Sequence, residues 1–256
     1  MQKPHLSLHR WRMLPLTIAP QQYHIDLSEQ LLKTASPEEP ATLYWSQAEY
    51  AGLVLGFSQK QSMLNPATVA TQTLPIYHRR AGGTAVLVGP GLLSLDVILP
   101  PGHPLILTDI VESYRWLGTV WVITLGRLGV ETHIVLPQEV HALRAMLKQE
   151  ETKKVESILS RACFGSLSSY EVIAEKRKVV GFDMIRRRTG SLLQAGLLLK
   201  WETEPLVELL GHTIEEQAIL REQLPERAVG LDTLVGRTIS ASEVISSFEE
   251  VLSEME

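Results

Sequence analysis

The 256 residues are 45% hydrophobic and 21% charged, with a net charge of −5: enough chain for a sizeable core, and too apolar and too weakly charged for a disordered segment. The single cysteine, Cys163, excludes a disulfide scaffold and a thiolate zinc site. The longest helical-looking uncharged run, 116–126, has 11 residues, well short of the roughly 20 that span a bilayer, and no signal-type apolar segment opens the chain, so a cytoplasmic protein without a membrane partner is expected.

In chain order, residues 26–33 read as a short helix, followed by a loop from Pro37 to Pro40. Segments 51–55, 76–80, 85–88 and 93–99 read as strands, the last stopped by Pro100 and Pro101. From Asp109, the residues Val111, Tyr114, Leu117, Trp121, Leu125 and Leu128 recur at helical spacing until Gly129. Segment 130–136 reads as a strand and 140–160 as one long charged helix. Residues 171–180 alternate and turn at Glu175-Lys176 as a hairpin, and 192–199 is another apolar strand. Thr213-x-x-Glu216 and Ser240-x-x-Glu243 match the capping box that opens a helix, and Val244, Ile245, Phe248, Val251 and Leu252 continue the second at helical spacing. The class is therefore α+β, with helices interrupting a mainly antiparallel set of strands.

Charge is unevenly spread. From residue 202 onward 13 acidic residues face three arginines, whereas the first 201 residues carry a net charge of +5. Domain organisation is read accordingly, as a main body over 1–204 and an acidic helical segment over 205–256 packed on it. Lys176-Arg177-Lys178 and Arg186-Arg187-Arg188 are the densest basic stretches, suited to an acidic partner or to solvated hairpin charges. Nucleic acid is excluded as a partner, because the chain is acidic overall and the cluster has no interleaved aromatics.

Neither a dinucleotide fingerprint nor a phosphate-binding P-loop is present. Three segments carry chemistry instead. Arg79-Arg80-Ala81-Gly82-Gly83-Thr84 joins two strands, and its adjacent glycines let backbone N–H groups approach a ligand, with two guanidinium groups beside them; the same pattern also fits a plain glycine hairpin. Cys163 follows the long helix at a junction, where a lone cysteine is either a small buried hydrophobe or a nucleophile lowered by a nearby cation. Lys178, 15 residues on, sits across the hairpin, close enough to fold back beside Cys163. Strand alternation puts Lys178 on one face with Val180, an apolar face where an unpaired ammonium is costly.

The order Arg-Arg-x-Gly-Gly, then Ala162-Cys163-Phe164, then Arg177-Lys178-Val179-Val180-Gly181 with Arg186, then Leu193-Gln194-x-Gly196 resembles the lipoate-protein ligase and octanoyltransferase family, relatives of the biotin ligase catalytic domain. The resemblance implies a curved, mainly antiparallel sheet around an acyl-binding cavity, flanked by helices. It is similar most of all to the cysteine-dependent octanoyltransferases. That likeness implies that Cys163 takes an octanoyl or lipoyl group as a thioester, that Lys178 places a cation at the carbonyl, and that a lysine of a lipoyl-domain protein then receives the acyl group. Acyl carrier protein, or free lipoate or octanoate, is the implied acyl source. No cofactor is required for acyl transfer, whereas the family's ligase branch uses ATP and Mg to form an acyl-adenylate; a non-catalytic binding relative is a further alternative. By the same likeness Arg79, Arg80, Gly82, Gly83, Thr84, Gly181, Phe182, Asp183, Arg186, Gln194 and Gly196 are expected to bind substrate. Thr84 replaces a family glycine, Val88 and Ala195 stand where the family has histidines, and Phe182-Asp183-Met184 replaces Ser-Ala-Gln. Strand alternation sends one of Phe182 and Asp183 to the cavity: Phe182 there shortens the slot, and Asp183 there pairs with Lys178 or Arg186.

Overall fold

Alternation of inward and outward side chains organises the computed structural model, which describes residues 11–147 and 150–255. In chain order the elements are β1 (Trp11–Ala19), α1 (Gln21–Thr34), β2 (Ala41–Ala48), β3 (Gly52–Leu55), α2 (Pro66–Thr71), β4 (Ile76–His78), β5 (Val86–Val88), β6 (Leu92–Leu99), α3 (Arg115–Arg127), β7 (His133–Ile134), α4 (Pro137–Met146), α5 (Glu150–Leu159), β8 (Val172–Ala174), β9 (Arg177–Arg187), β10 (Gly190–Leu198), α6 (Glu204–Leu210), α7 (Ile214–Arg227), α8 (Leu231–Val235) and α9 (Ala241–Glu254). Seven strands form an open sheet in the order β1-β2-β6-β10-β9-β8-β7, and β4-β3-β5 form a second, small sheet. All pairs in the large sheet are antiparallel except β1 with β2. The expected α+β class with a mainly antiparallel sheet is borne out, but the segments around 76–88 leave the main sheet and face it as a separate one.

The register of the central strands decides what each face carries. Tyr44, Asp96, Gln194 and Asp183 are aligned across β2, β6, β10 and β9, and so share one face. The neighbouring row, Trp45, Leu95, Ala195 and Phe182, shares the other. That second face packs with α3 and α9 into the main core, where Trp45, Trp121 and Phe248 meet ring against ring. On the first face lie α1 and the small sheet. The helix α1 presents His24, Ser28 and Leu32, four residues apart, to that face. It starts five residues before the expected 26–33, directly after Pro20, whose fixed φ suits the entry to a helix.

Several expectations shift. The strands β1 and β2 are absent from the sequence reading; β2 is buried along both faces, so its polar Ser46 and Gln47 break the alternation that marks a half-buried strand. The expected strand 130–136 reduces to His133–Ile134, because Pro137 opens α4 just beyond it. The expected helix 140–160 is two helices, α4 and α5, with Leu147 closing the first. Of the two capping boxes, Ser240 and Glu243 form a complete one. Thr213 caps only in one direction, because the Glu216 carboxylate is taken by Arg161 at 2.6 and 2.9 Å. That pair, with Arg227 on Glu156, ties the acidic helices to the segment leading into Cys163. Among the described residues no helix is long and apolar enough to cross a membrane.

Candidate active site

The β8–β9 hairpin turns at Glu175 and Lys176, both with positive φ (48° and 70°), the conformation of a tight hairpin turn. Two residues on, the register slips: Ile173 pairs with Lys178 but Val172 with Val180, leaving Val179 as a bulge. One extra residue reverses the alternation. Lys178 is thereby removed from the face of Val180, where simple alternation had placed it, and lies beside Gly181: a Cβ on Gly181 would sit 3.6 Å from the Lys178 side chain. Its ammonium reaches Glu171 at 2.8 Å, donates to the backbone carbonyl of Cys163 at 2.8 Å, and stands 5.4 Å from the centre of the Phe164 ring. Both partners of the ion pair are sealed, at 1% and 2% exposure. Glu171 also accepts the Ser168 N–H at 2.6 Å and the Phe182 N–H at 3.4 Å. Burial pushes its carboxyl up, and the Lys178 cation holds it down. An ammonium this deep needs such a partner.

Cys163 begins a short 3-10 turn that is stitched to the end of the glycine segment. Ala85 donates to Arg161 at 3.1 Å, and Cys163 donates back to Ala85 at 2.8 Å. Thus the glycine segment and Lys178, almost a hundred residues apart, meet through the backbone of Cys163. Burial raises the Cys163 thiol above its ordinary value; the cations Lys178 and Arg79 pull it down, and Glu171 and Asp183 push it up.

A cavity of about 100 Å³ opens between the sheet face, α1 and the small sheet. Its apolar wall includes Ile25, Val54, Val86, Val88, Leu92 and Phe164. Its polar wall is the aligned row: Ser28 donates to Asp96, Gln194 donates to Asp96 at 2.8 Å, and Asp183 pairs with Arg79 at 3.1 Å. Burial pushes Asp96 and Asp183 both up to about 6; Ser28 and Gln194 oppose the shift at Asp96, and Arg79 opposes it at Asp183.

Of the residues expected at the site, Cys163, Arg79, Arg80, Gly181, Asp183, Gln194 and Gly196 line this cavity. Arg80 does so while paired with Glu29 at 2.8 Å. Lys178 stands at its edge through Cys163 and Gly181. Gly82, Gly83 and Thr84 are not lining residues. Arg79 holds the carbonyls of Gly82 and Thr84 at 3.0 and 3.1 Å, and Gly83 has a φ of +84°. The Gly83 carbonyl presses on Gly56, where a Cβ would come within 2.0 Å of it. The loop is held around Arg79. Phe182 borders the cavity, but its ring stacks on Tyr114 with centroids 6.0 Å apart and packs with the helix-face core. Asp183 is the member of the pair that turns inward, and its partner is Arg79, not Lys178 or Arg186. Arg186 does not line this cavity: it occupies the Phe182 face of β9 and donates to Ser113 Oγ at 2.6 Å and to the Thr108 carbonyl, anchoring the segment before α3.

The sequence reading missed Glu171, Asp96 and Ser28. Glu171 had a signal, since a lysine on a buried strand demands a counter-charge and Glu171 is the acid across the same hairpin. Asp96 had one too, as the only charge inside the apolar run 92–99.

The family described as the lipoyl protein ligase A/B catalytic domain matches residues 20–253. An octanoyltransferase LipM of Brevibacillus brevis is 29% identical over 248 residues, covering 95% of this chain and 86% of its own. One of an Exiguobacterium species is 28% identical over 212 residues, covering 82% and 73%. Among solved structures, the bipartite lipoate protein ligase of Thermoplasma acidophilum, reported with its E2 lipoyl domain, superposes with a TM-score of 0.73 at 15% identity over 96% of this chain and 82% of that one. A lipoate-protein ligase A bound with ATP gives 0.68 at 17% identity over 96% and 85%. At such identities the structural likeness speaks for the fold.

Proposed function

The chain belongs to the lipoyl protein ligase A/B catalytic-domain family, and from that premise we propose that it is an acyltransferase that moves an octanoyl or lipoyl group onto a lysine of a lipoyl-domain protein through a thioester on Cys163. The observation that carries this reading is the junction at Cys163. The one cysteine of the chain stands on the wall of the cavity, with a buried, ion-paired lysine hydrogen-bonded to its own carbonyl. The octanoyltransferase relatives support the acyl group.

In the first half-reaction the Cys163 sulfur attacks the carbonyl carbon of an acyl thioester carried by an acyl carrier protein. A carbon–sulfur bond forms to Cys163, the bond to the donor sulfur breaks, and the proton lost by Cys163 ends on the departing thiol. Lys178, held by Glu171 and bonded to the Cys163 carbonyl, opposes the effect of burial on the thiol and so favours negative charge on the reacting sulfur. Its bond to the Cys163 carbonyl also fixes the turn that aims the thiol. In the second half-reaction the lysine amine of the acceptor domain takes the acyl group as an amide and Cys163 returns as a thiol. Neither step consumes a nucleotide; the ligase alternative, with ATP and Mg, would form an acyl-adenylate from free lipoate or octanoate. A free thiol at the centre of the chemistry suits the reducing, cytoplasmic compartment that the composition suggests.

The test is acyl transfer from octanoyl-acyl carrier protein to an isolated lipoyl domain, followed by mass spectrometry without nucleotide. The wild type is expected to modify the domain, and Cys163→Ala and Cys163→Ser to fail. Modification that requires ATP and survives Cys163→Ser would favour the ligase reading.

A further inference from the structure

Three carboxylates line the cavity, and Asp96 has a partner on each oxygen. Asp96 receives Ser28 on one oxygen and Gln194 on the other, and Glu29 is paired with Arg80. Asp183 gives Oδ2 to Arg79, and its Oδ1 is buried with no donor among the described residues. A buried acceptor without a donor is costly and rare, and it points to a donor that arrives with a ligand. The side chain retains 21% exposure and shares the cavity with Cys163.

Resting on the reading that an acyl group leaves Cys163 for a lysine amine, we propose that Asp183 is the catalytic base of that second step, its free oxygen accepting the N–H of the incoming amine. The neutral amine attacks the thioester carbonyl, and the carbon–nitrogen bond forms. The proton released from nitrogen passes to the Asp183 carboxylate. The carbon–sulfur bond breaks with its electron pair going to the Cys163 sulfur, and the protonated Asp183 then returns the proton to that sulfur. Products are an amide and the free thiol, so atoms and charge balance. Arg79 has a positioning part, since it holds Oδ2 and leaves Oδ1 for the amine.

The groups that surround Asp183 set when it is a base. Burial opposes the carboxylate most, Arg79 from the segment after β4 favours it, and Glu171 ahead of β8 opposes it. Asp183 in turn disfavours the charge of Asp96 on β6. Tyr114 at the start of α3 and Cys163 ahead of β8 also feel its charge, and Lys178 on β9 is ion-paired with Glu171. With its carboxyl pushed up to about 6, Asp183 is ionised at neutral pH and close to the proton affinity at which a general base is most effective.

The two half-reactions separate this proposal from the reading beneath it. The full chain is loaded with octanoyl-acyl carrier protein, freed of donor, and mixed with a lipoyl domain, and both rate constants are followed by mass spectrometry from pH 5 to pH 8. Asp183→Asn is expected to lower the ratio of transfer to loading by about 10²-fold or more. Wild-type transfer should fall below a pH of about 6, this limb should vanish in Asp183→Asn and persist in Asp96→Asn, and Asp183→Glu should restore part of the rate. An unchanged ratio in Asp183→Asn, an equal loss in both steps, or a limb that follows Asp96 instead would overturn the proposal. Absence of any Cys163 thioester in the wild type would overturn the acyltransfer reading itself, and this step with it.

Discussion

The two faces of the main sheet are made by the same strands at alternate positions, yet they differ in every physical respect. The helix face is dry and apolar: Leu43, Trp45, Leu95, Val97 and Leu193 pack with Trp121, Phe248 and Val251. The cavity face carries Tyr44, Asp96, Gln194 and Asp183 in one aligned row, with Lys178 turned toward it by a bulge. The first face stabilises the fold through buried area. The second holds charged groups out of water, which lowers stability unless each is paired. Among the described residues the buried carboxylates and ammonium, Asp96, Glu171 and Lys178, gather on this side, beside the one cysteine, where the proposed chemistry is placed.

The comparison breaks most sharply at Glu171. Glu171→Gln leaves the Lys178 ammonium buried without a counter-charge and should lower stability by about 3–5 kcal/mol, with loss of Cys163 loading. Adding Lys178→Met should recover much of the stability, read by chemical denaturation, and none of the loading. On the helix face, Trp45→Ala should cost a similar 3–5 kcal/mol but leave the loading rate per folded molecule unchanged. If it abolished loading in folded protein, the division between faces would be wrong.

Asp96 sharpens the contrast through pH. Its carboxyl is raised from 3.8 to about 6 in the fold, so the native state binds the proton more tightly than the unfolded chain does. Its contribution is therefore most favourable below pH 4 and is lost as pH rises through 6, by about 3 kcal/mol. Asp96→Asn should remove this slope, so its stability relative to wild type should increase between pH 4 and pH 7, as followed by urea unfolding. The smallest effect is expected at Arg186. Arg186→Ala loses the bond to Ser113 on the far face and should cost about 1–2 kcal/mol, while loading changes little; a loss of loading above tenfold would return Arg186 to the site.

Much of this was legible in the residues. The apolar stripe of α3 from Leu117 to Leu125, the Glu175-Lys176 turn, the Ser240 cap and the nearness of Lys178 to Cys163 follow from spacing and sequence pattern, although α3 starts at Arg115, after a 3-10 turn over Glu112–Tyr114, and not at the expected Asp109. What escaped was non-local. No spacing reveals that Arg79 waits for Asp183 across about a hundred residues, or that Asp183 rather than Phe182 faces the cavity. The bulge at Val179 defeated strict alternation, because one added residue moves a lysine from one face to the other. β2 escaped because a strand buried on both sides has no alternation to read.

Whether Cys163 carries the acyl group is read by intact-mass measurement of the protein after exposure to octanoyl-acyl carrier protein without nucleotide. A single octanoyl adduct, mapped to Cys163, released by hydroxylamine and absent from Cys163→Ala, is the predicted result. An unmodified wild-type protein, or an adduct that persists in Cys163→Ala, would contradict it.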